Sequence, residues 1–399
     1  MGLHTAPRSA LVAFCSLLLL ACLTPGFLPE SDKIYSYEVE IVYRNRGDEP
    51  WMLSDGDVAF PLFADNPWQE VSLKWTSEPI ENVVQDCDGN LWALLQVPDR
   101  TLEPGESIGL RAKYEFRAKP REAPDLSMEA SGRLSDIPSE LREAYCGQAA
   151  CWLTDDEELR ALAYDLANGK QNVLEIICSF VSWIHDHVVY ETYELPRYPN
   201  ETYSELRGDC DDQANLLITL CRVMGIPAYL QVGCIYYFSP TPYEMVLWDG
   251  HLRVKARNVA WHGWALVFVP PWGWLPVDLT ASIGIDEDPL NAIRTAIVWE
   301  QETILCYEIK VTDYVANARE QREQVLEHDI YIYEEESMFL IRTETSLERM
   351  AEFIRMVSYY TALVFVVLSI TGLVVGVIYI LRARRERATQ MAPYSLYHS

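Results

Sequence analysis

The stretch GDCDDQANLLITLCRVMGIPAYL, from Gly208 to Leu230, contains a cysteine where a helix is predicted to begin. Apolar residues recur at helical spacing and a Gly-Ile-Pro run ends the pattern, so we predict a helix over about 210–224. A thiol at a helix N-terminus can act as a nucleophile, because the helix dipole favours its thiolate form. The neighbouring acids that oppose this effect on Cys210 are Asp209, Asp211 and Asp212.

Activation of this thiol requires a histidine base that is itself oriented by an acid or an amide. Of the seven histidines, His262 lies in the apolar strand pattern WHGWALVFV, and Asp278 lies in the next one, WLPVDLT. A turn at 270–274 would pair the two strands antiparallel, so both side chains could face the start of the helix. From the residues alone, a core histidine and a turn-capping aspartate remain an equal alternative.

Three motifs in this order resemble those of the transglutaminase-like superfamily. The cysteine motif is matched by GDC at 208–210 with CRVMGIPA at 221–228, the histidine motif by HGW at 262–264 and the aspartate motif by GWLPVDLT at 273–280. His262 follows Cys210 by 52 residues, and Asp278 follows His262 by 16. Two positions depart from the family pattern: Gly263 stands where alanine is usual and Leu279 where proline is usual.

The resemblance implies a papain-like α+β fold over residues 150–285. Cys210 would be the nucleophile, His262 the general base and acid, and Asp278 the residue that orients the imidazole. It also implies an acyl thioester, formed from a glutamine amide or a peptide bond and released to an amine or to water. No cofactor or metal is expected, and since the sequence offers no recognisable calcium-site pattern like that of animal crosslinking enzymes, we favour protease or amidase activity. The alternative is a non-catalytic envelope module that binds or scaffolds with the same fold.

Several tryptophans accompany these motifs and could line a groove for an acyl substrate. Core packing is the competing interpretation for each one. The residues of this predicted groove are Trp183, Trp261, Trp264 and Trp274.

The chain divides by pattern into a β-rich part and a helical part that precedes further strands. We predict a β-sandwich-like domain at 31–120, a linker at 121–150 and a transglutaminase-like domain at 151–310. Charge-rich helical runs in 311–355 indicate a stalk. The fold class is therefore α+β, with a papain-like core preceded by the sandwich-like module and followed by one transmembrane helix.

Both ends of the chain indicate export and membrane attachment. Residues 1–27 contain an apolar run typical of a signal peptide or an N-terminal anchor, and LLAC at 19–22 loosely resembles a lipobox. Residues 357–381 contain no charged side chain and are long enough to span a bilayer. The arginine-rich segment 382–399 is predicted to be cytoplasmic by the positive-inside rule, which places the main domains outside the cytoplasm.

The composition limits the possible partners. A formal net charge of −27 argues against a nucleic-acid partner, because phosphate backbones are repelled. Protein or envelope-peptide substrates and the membrane are therefore the expected partners, while the oligomeric state stays open. The cysteines and histidines show no zinc spacing. Cys146 and Cys151 could close a small loop if their Cβ atoms converge.

Overall fold

The computed structural model describes residues 32–299 and 303–344. The predicted export segment at 1–27, the predicted membrane helix at 357–381 and the tail at 382–399 lie outside these ranges. Within the described residues, no helix has both the length and the apolar character needed to cross a membrane.

The strands of the described residues range from two-residue segments to the 15 residues of β17. In chain order the strands of the described residues are β1 (Asp32–Asn45), β2 (Trp51–Met52), β3 (Ala59–Leu62), β4 (Gln69–Thr76), β5 (Ile80–Gln85), β6 (Leu91–Leu95), β7 (Thr101–Leu102), β8 (Ser107–Ala118), β9 (Val189–Tyr190), β10 (Arg207–Gly208), β11 (Ala228–Tyr236), β12 (Tyr243–Leu247), β13 (Leu252–Arg257), β14 (Val259–Val269), β15 (Gly273–Val277), β16 (Thr303–Ile309) and β17 (Ile330–Glu344).

The helices are concentrated in the middle of the chain. The α-helices of the described residues are α1 (Ser139–Tyr145), α2 (Glu157–Ala167), α3 (Val173–His187), α4 (Pro199–Glu205), α5 (Cys210–Val223), α6 (Asn291–Trp299) and α7 (Tyr314–Glu327). Short 3-10 turns occur at Leu134–Asp136 and Trp248–Gly250. Helices followed by a mainly antiparallel sheet confirm the α+β class expected from the sequence.

A four-stranded sheet with the order β15-β14-β11-β16 carries the two strands predicted to hold the histidine and the aspartate. The pairs β14–β15, β11–β14 and β11–β16 are all antiparallel. Helix α5 packs against this sheet, since its buried residues Leu217 and Leu220 share one core with Ala265 and Val267 of β14. Helix α3 buries eight residues in the same core, among them Ile177, Phe180 and Val181.

A second, six-stranded sheet has the order β12-β13-β17-β1-β8-β4. It combines strands of the N-terminal β-rich segment with β12 and β13 from the predicted transglutaminase-like region and with β17 from the predicted stalk. The three-stranded sheet β3-β6-β5 shares its aromatic core with this sheet, and Tyr35, Tyr114 and Phe116 are fully buried there. The boundary drawn at residue 120 therefore does not separate the strands of the fold.

The segment expected to form a stalk differs from that expectation within its described part. Helix α7 begins after Asp313, whose side chain accepts a hydrogen bond from the N–H of Ala316 at 3.0 Å. Strand β17 pairs in parallel with β13 and buries Ile330, Ile332 and Met338. The buried residues of β17, which are Ile330, Ile332, Glu336 and Met338, lie at even spacings along the strand, as expected for one face of a sheet and not for a free stalk.

The segment expected to be a linker also packs on the core. Leu126 and Ile137 are buried in the same cluster as α3 and α5. The N–H of Gly132 donates to the carbonyl of Pro270 at 2.7 Å, which ties this segment to the turn between β14 and β15. Residues 121–150 thus help to hold the strands that carry the predicted histidine and aspartate.

Candidate active site

Cys210 is the first residue of α5, where the sequence predicts it. Asp209 caps this helix, and its backbone N–H donates to Oδ2 of Asp212 at 3.3 Å in a reciprocal capping box. Asp212 is fully buried and also accepts a hydrogen bond from the N–H of Arg197 at 2.8 Å. These contacts place the thiol of Cys210 at a helix start whose backbone is fixed from both sides.

Strand β14 approaches this helix start at Gly263. A Cβ atom at position 263 would lie 2.9 Å from Cβ and 3.4 Å from Cα of Asp211, so the close approach depends on glycine. The N–H of Gly263 also faces the Cys210 sulfur, and this contact offsets a small part of the rise in the pKa of that thiol. The departure from the alanine usual in the family therefore has a steric reason, and it places His262 one residue from a direct contact with the thiol.

His262 and Asp278 come together as their strand register predicts. Nε2 of His262 lies 3.2 Å from Oδ2 of Asp278, and the two side chains are 9% and 1% exposed. The contact is close but is not aligned as a hydrogen bond, since Nε2 has no partner that meets hydrogen-bond geometry. Apo active sites often show such contacts, which tighten when substrate binds. Because Nε2 faces the carboxylate, Nδ1 is the ring nitrogen that is left to exchange a proton with another group.

Asp278 is held ionised by its surroundings. Burial alone would raise the pKa of Asp278, but the neighbouring His262 and the N–H groups of Thr280 and Ala281 outweigh it and lower this pKa. Thr280 N–H donates to Oδ1 at 3.0 Å, and Ala281 N–H donates to Oδ2 at 3.2 Å. A buried carboxylate that is fixed in this way can orient an imidazole and stabilise its protonated form.

The surroundings of Cys210, unlike those of Asp278, disfavour the ionised form of the side chain. Burial, followed by the charges of Asp211 and Asp209, raises the pKa of the Cys210 thiol well above its ordinary value. Burial and the neighbouring Asp211 also raise the pKa of Asp209 to about 9. The resting thiol is therefore protonated at neutral pH, and its proton must leave during the reaction rather than before it.

The predicted tryptophan groove is only partly consistent with the structure. The side chain of Trp264 is fully buried, so it cannot line a groove that is open to substrate. It packs 5.9 Å from the His262 ring, centroid to centroid, and its indole N–H donates to Oε1 of Gln231 at 3.0 Å. Trp264 therefore supports the imidazole ring of His262 from inside the fold.

The other three tryptophans lie in separate surroundings. Trp183 of α3 stacks on His187 at 4.7 Å and contacts Tyr203. Trp274 lies in an aromatic cluster with Tyr145, Tyr229 and Phe268. Trp261, next to His262, is 39% exposed and donates its indole N–H to Glu336. Of the four predicted residues, Trp261 combines exposure with a position beside the triad.

The structure adds residues that the sequence did not single out. The Trp299 ring packs edge-on against the His262 ring at 5.3 Å and against the Trp264 ring at 5.2 Å. Tyr314 of α7 donates its hydroxyl proton to Oδ2 of Asp211 at 2.6 Å, and this fixes the acid that follows the nucleophile. Both residues come from segments far along the chain, and no local pattern in the sequence connects them to Cys210.

Tyr190 is a further residue at the site that sequence reasoning missed. Strands β9 and β10 bridge in parallel and pair Tyr190 with Gly208, two residues before Cys210. Partial burial and the nearby Cys210 and Asp209 raise the pKa of Tyr190 to about 12. Tyr190 is 55% exposed and, through its pairing with Gly208, lies beside the segment that leads into α5.

Possible metal ligands are also present at this position. In the part of the chain that the structure describes, Asp209, Cys210 and Asp211 each offer one ligand atom within 4.8 Å of the others. Asp211 is already engaged by Tyr314, and the thiol is the candidate nucleophile. We assign this group no role in metal binding. The pair His185 and His187 lies at the end of α3, and Nε2 of His185 contacts Oδ1 of Asp286 at 2.7 Å.

Comparison with known families agrees with the geometry. Residues 160–279 match the family model of the transglutaminase-like superfamily. The matched range contains Cys210, His262 and Asp278, and the resemblance expected from the three motifs is confirmed. The chain has no significant match among curated proteins.

Similar solved structures are distant. A protein from Cytophaga hutchinsonii, named as a candidate cysteine protease, is 15% identical with a TM-score of 0.46, over 80% of this chain and 92% of that chain. The periplasmic domain of TgpA from Pseudomonas aeruginosa is 17% identical with a TM-score of 0.30, over 64% and 72%. A candidate protease from Parabacteroides distasonis is 12% identical with a TM-score of 0.24, over 71% and 68%. These TM-scores are below 0.5, so the assignment rests on the family match.

Proposed function

We propose, from the match of residues 160–279 to the transglutaminase-like superfamily, that this chain is a membrane-tethered, extracytoplasmic thiol enzyme that cleaves or transfers amide acyl groups. The observation that carries the proposal is the contact between His262 and Asp278, one residue from the glycine that contacts Cys210. A nucleophile, a base and a residue that orients the base are the three parts that such chemistry requires.

In the first half of the reaction, the Cys210 sulfur attacks the carbonyl carbon of a peptide or glutamine amide. The thiol proton passes to Nδ1 of His262, and the Asp278 carboxylate stabilises the resulting imidazolium. The backbone N–H of Cys210, at the positive end of α5, is the proposed donor to the oxyanion. His262 then protonates the leaving nitrogen, the C–N bond breaks and a Cys210 thioester remains.

In the second half, an acceptor attacks the thioester carbonyl and gives its proton to His262. Water as the acceptor yields a carboxylic acid, and an amine yields a new amide. The C–S bond breaks and the thiol recovers its proton from His262. The high pKa of the resting thiol means that proton transfer accompanies attack, so His262 acts as a general base and not as the partner of a preformed thiolate.

The proposed location rests on the two ends of the chain. The uncharged segment 357–381 would span the membrane and the arginine-rich tail at 382–399 would face the cytoplasm. The described residues precede this segment and would therefore face the other side. Tethering would keep the enzyme close to membrane-bound or envelope substrates.

The proposal is tested first by the reactivity of Cys210. The full-length protein in detergent is alkylated with iodoacetamide across pH, and labelling of the Cys210 peptide is followed by mass spectrometry. We expect His262→Ala to slow labelling near neutral pH, because the base that withdraws the thiol proton is lost. His185→Ala, which changes a histidine at the end of α3, is the matched control and should label like the wild type.

Acyl chemistry is tested with two substrates. Fluorescein-labelled casein reports hydrolysis, and dimethylcasein with monodansylcadaverine reports transfer to an amine. We expect Cys210→Ala to abolish either activity, and His262→Ala to reduce it by about 10²- to 10⁴-fold.

A non-catalytic binding module remains the second candidate, because the raised pKa of Cys210 is also what a structural thiol would show. Slow labelling that is identical in wild type and His262→Ala would support that alternative.

A further inference from the structure

Two buried cysteines on neighbouring strands of the catalytic sheet lie in contact with each other. The Sγ atoms of Cys234 in β11 and Cys306 in β16 are 3.5 Å apart. Both side chains are buried, at 0% and 4% exposure. In this structure both are free thiols, and the Cys306 thiol also lies 3.4 Å from the carbonyl oxygen of Ile304, which can accept its S–H hydrogen bond.

A local irregularity in the pairing of β11 with β16 lies next to these two cysteines. The β11–β16 register shifts between Val232 and Gly233, so Cys306 is the extra residue of a bulge. A Cβ atom at Gly233 would lie 2.7 Å from the carbonyl oxygen of Ile304, so glycine permits the approach next to Cys234. In this register Cys234 itself pairs with Ile304, so the contact between its sulfur and that of Cys306 runs diagonally across the bulge.

We propose that Cys234 and Cys306 form a structural disulfide that joins β11 to β16. Formation converts two thiols into one S–S bond and releases two protons and two electrons. The electrons pass to a disulfide oxidant, such as oxidised glutathione or the disulfide of a thiol–disulfide oxidoreductase, which is reduced to two thiols. An extracytoplasmic chain, as proposed above, meets such oxidants.

The surroundings determine when the bond forms. Burial raises the pKa of the Cys234 thiol, and its contact with Cys306 adds to this effect. Thiolates are the species that attack disulfides, so the folded, reduced pair reacts slowly. The bond therefore forms while the chain folds, and the core then shields it from reductants.

The proposed disulfide would constrain the part of the chain that carries His262 and Asp278. It closes a loop that includes β14, β15 and α6, and therefore His262, Asp278 and Trp299. Restricting this loop in the unfolded chain favours the folded state in which the triad is assembled. The disulfide has no part in the reaction, so its presence and the catalytic proposal can be tested separately.

The test is a cysteine map of the full-length protein. The detergent-solubilised protein is refolded with reduced and oxidised glutathione, its remaining thiols are alkylated with iodoacetamide under denaturing conditions, and the digest is analysed without reductant. We expect one peptide pair joined through Cys234 and Cys306, with Cys210 alkylated in the same digest. Cys178→Ala, which changes another buried thiol, is the matched control and should leave the linked pair unchanged.

A stability measurement accompanies the map. Reductant added during refolding should lower the Tm of the wild type by about 5 °C or more, and should leave the Tm of Cys234→Ala/Cys306→Ala unchanged. Recovery of both cysteines in alkylated form after refolding with oxidised glutathione would overturn the proposal, as would a link from either one to a different cysteine. Because the map uses wild-type protein, it decides the question even when the double variant fails to fold.

Discussion

The indole N–H of Trp261 donates a hydrogen bond to the carboxylate of Glu336, with Nε1 at 2.8 Å from Oε1 and 3.0 Å from Oε2. Glu336 is 1% exposed and also accepts a hydrogen bond from the Tyr37 hydroxyl at 3.1 Å. One carboxylate of the C-terminal strand thus links the first strand of the fold to the residue that precedes the candidate catalytic histidine.

Removing this carboxylate should destabilise the protein. We expect Glu336→Ala to lower the free energy of unfolding by about 1–3 kcal/mol, because the buried Tyr37 hydroxyl would lose its acceptor. Urea unfolding of the full-length protein measures this change. The control is Glu335→Ala on the same strand, whose exposed ion pair with Lys255 is worth at most about 1 kcal/mol. Equal effects of the two variants would contradict the linking role of Glu336.

The packing of β17 predicts a contrast between two adjacent residues. Met338 is fully buried, whereas Phe339 is 45% exposed. Met338→Ala should cost about 2–5 kcal/mol of unfolding free energy through lost burial and a cavity. Phe339→Ala should change it by no more than about 0.5 kcal/mol. A segment that served only as a stalk would tolerate both substitutions, so thermal unfolding of the two variants separates the possibilities.

The close approach at Gly263 predicts a steric effect on the site. In Gly263→Ala the new Cβ would meet Asp211 at 2.9 Å, so α5 and β14 must move apart. We expect a loss of about 1–3 kcal/mol in stability and slower alkylation of Cys210, because the N–H contact at its sulfur lengthens. Gly147→Ala is the control, since a Cβ there meets no atom within 4 Å. Wild-type reactivity in Gly263→Ala would show that the contact is dispensable.

The lowered pKa of Asp278 predicts a specific loss of stability in acid. A carboxyl group whose pKa is lower in the folded state contributes stability above its unfolded pKa of about 3.9, and this is lost as the pH falls through the folded pKa. Asp278→Asn should be less stable than wild type at neutral pH by about 1–3 kcal/mol. Below about pH 4 the variant should lose less additional stability than the wild type does. Urea midpoints from pH 3 to pH 7 measure this, and Asp165→Asn, at an exposed site, should follow the wild type.

Removing the negative charge next to the nucleophile should increase the reactivity of the Cys210 thiol. After burial, Asp211 is the largest cause of the raised pKa of Cys210. Asp211→Asn removes that charge and keeps an oxygen that can accept from Tyr314, so the thiol should ionise at lower pH. We expect iodoacetamide labelling at pH 8 to be roughly threefold faster or more. Asp186→Asn, an exposed acid on α3, should leave the rate unchanged.

The expected residues and the observed site agree most closely where the information is local. The start of α5 at Cys210 follows from apolar spacing and a glycine stop, and the pairing of His262 with Asp278 follows from two strands joined by a short turn. Short-range periodicity and turn chemistry determine such elements, because the interactions that form them are close in sequence. The acidic surroundings of the Cys210 thiol could likewise be predicted from its sequence neighbours Asp209, Asp211 and Asp212.

The tertiary structure decided the features that depend on distant segments. The sequence could not show that β17 would join the sheet of β1, that Trp264 would be buried under the imidazole or that Trp299 would cover it. Sheet order and side-chain burial result from packing between elements that can be tens to hundreds of residues apart. The same apolar strand sequence is compatible with facing a groove or a core. The contact of Cys234 with Cys306 belongs to this second class, since a bulge in the strand register brings the two sulfurs together.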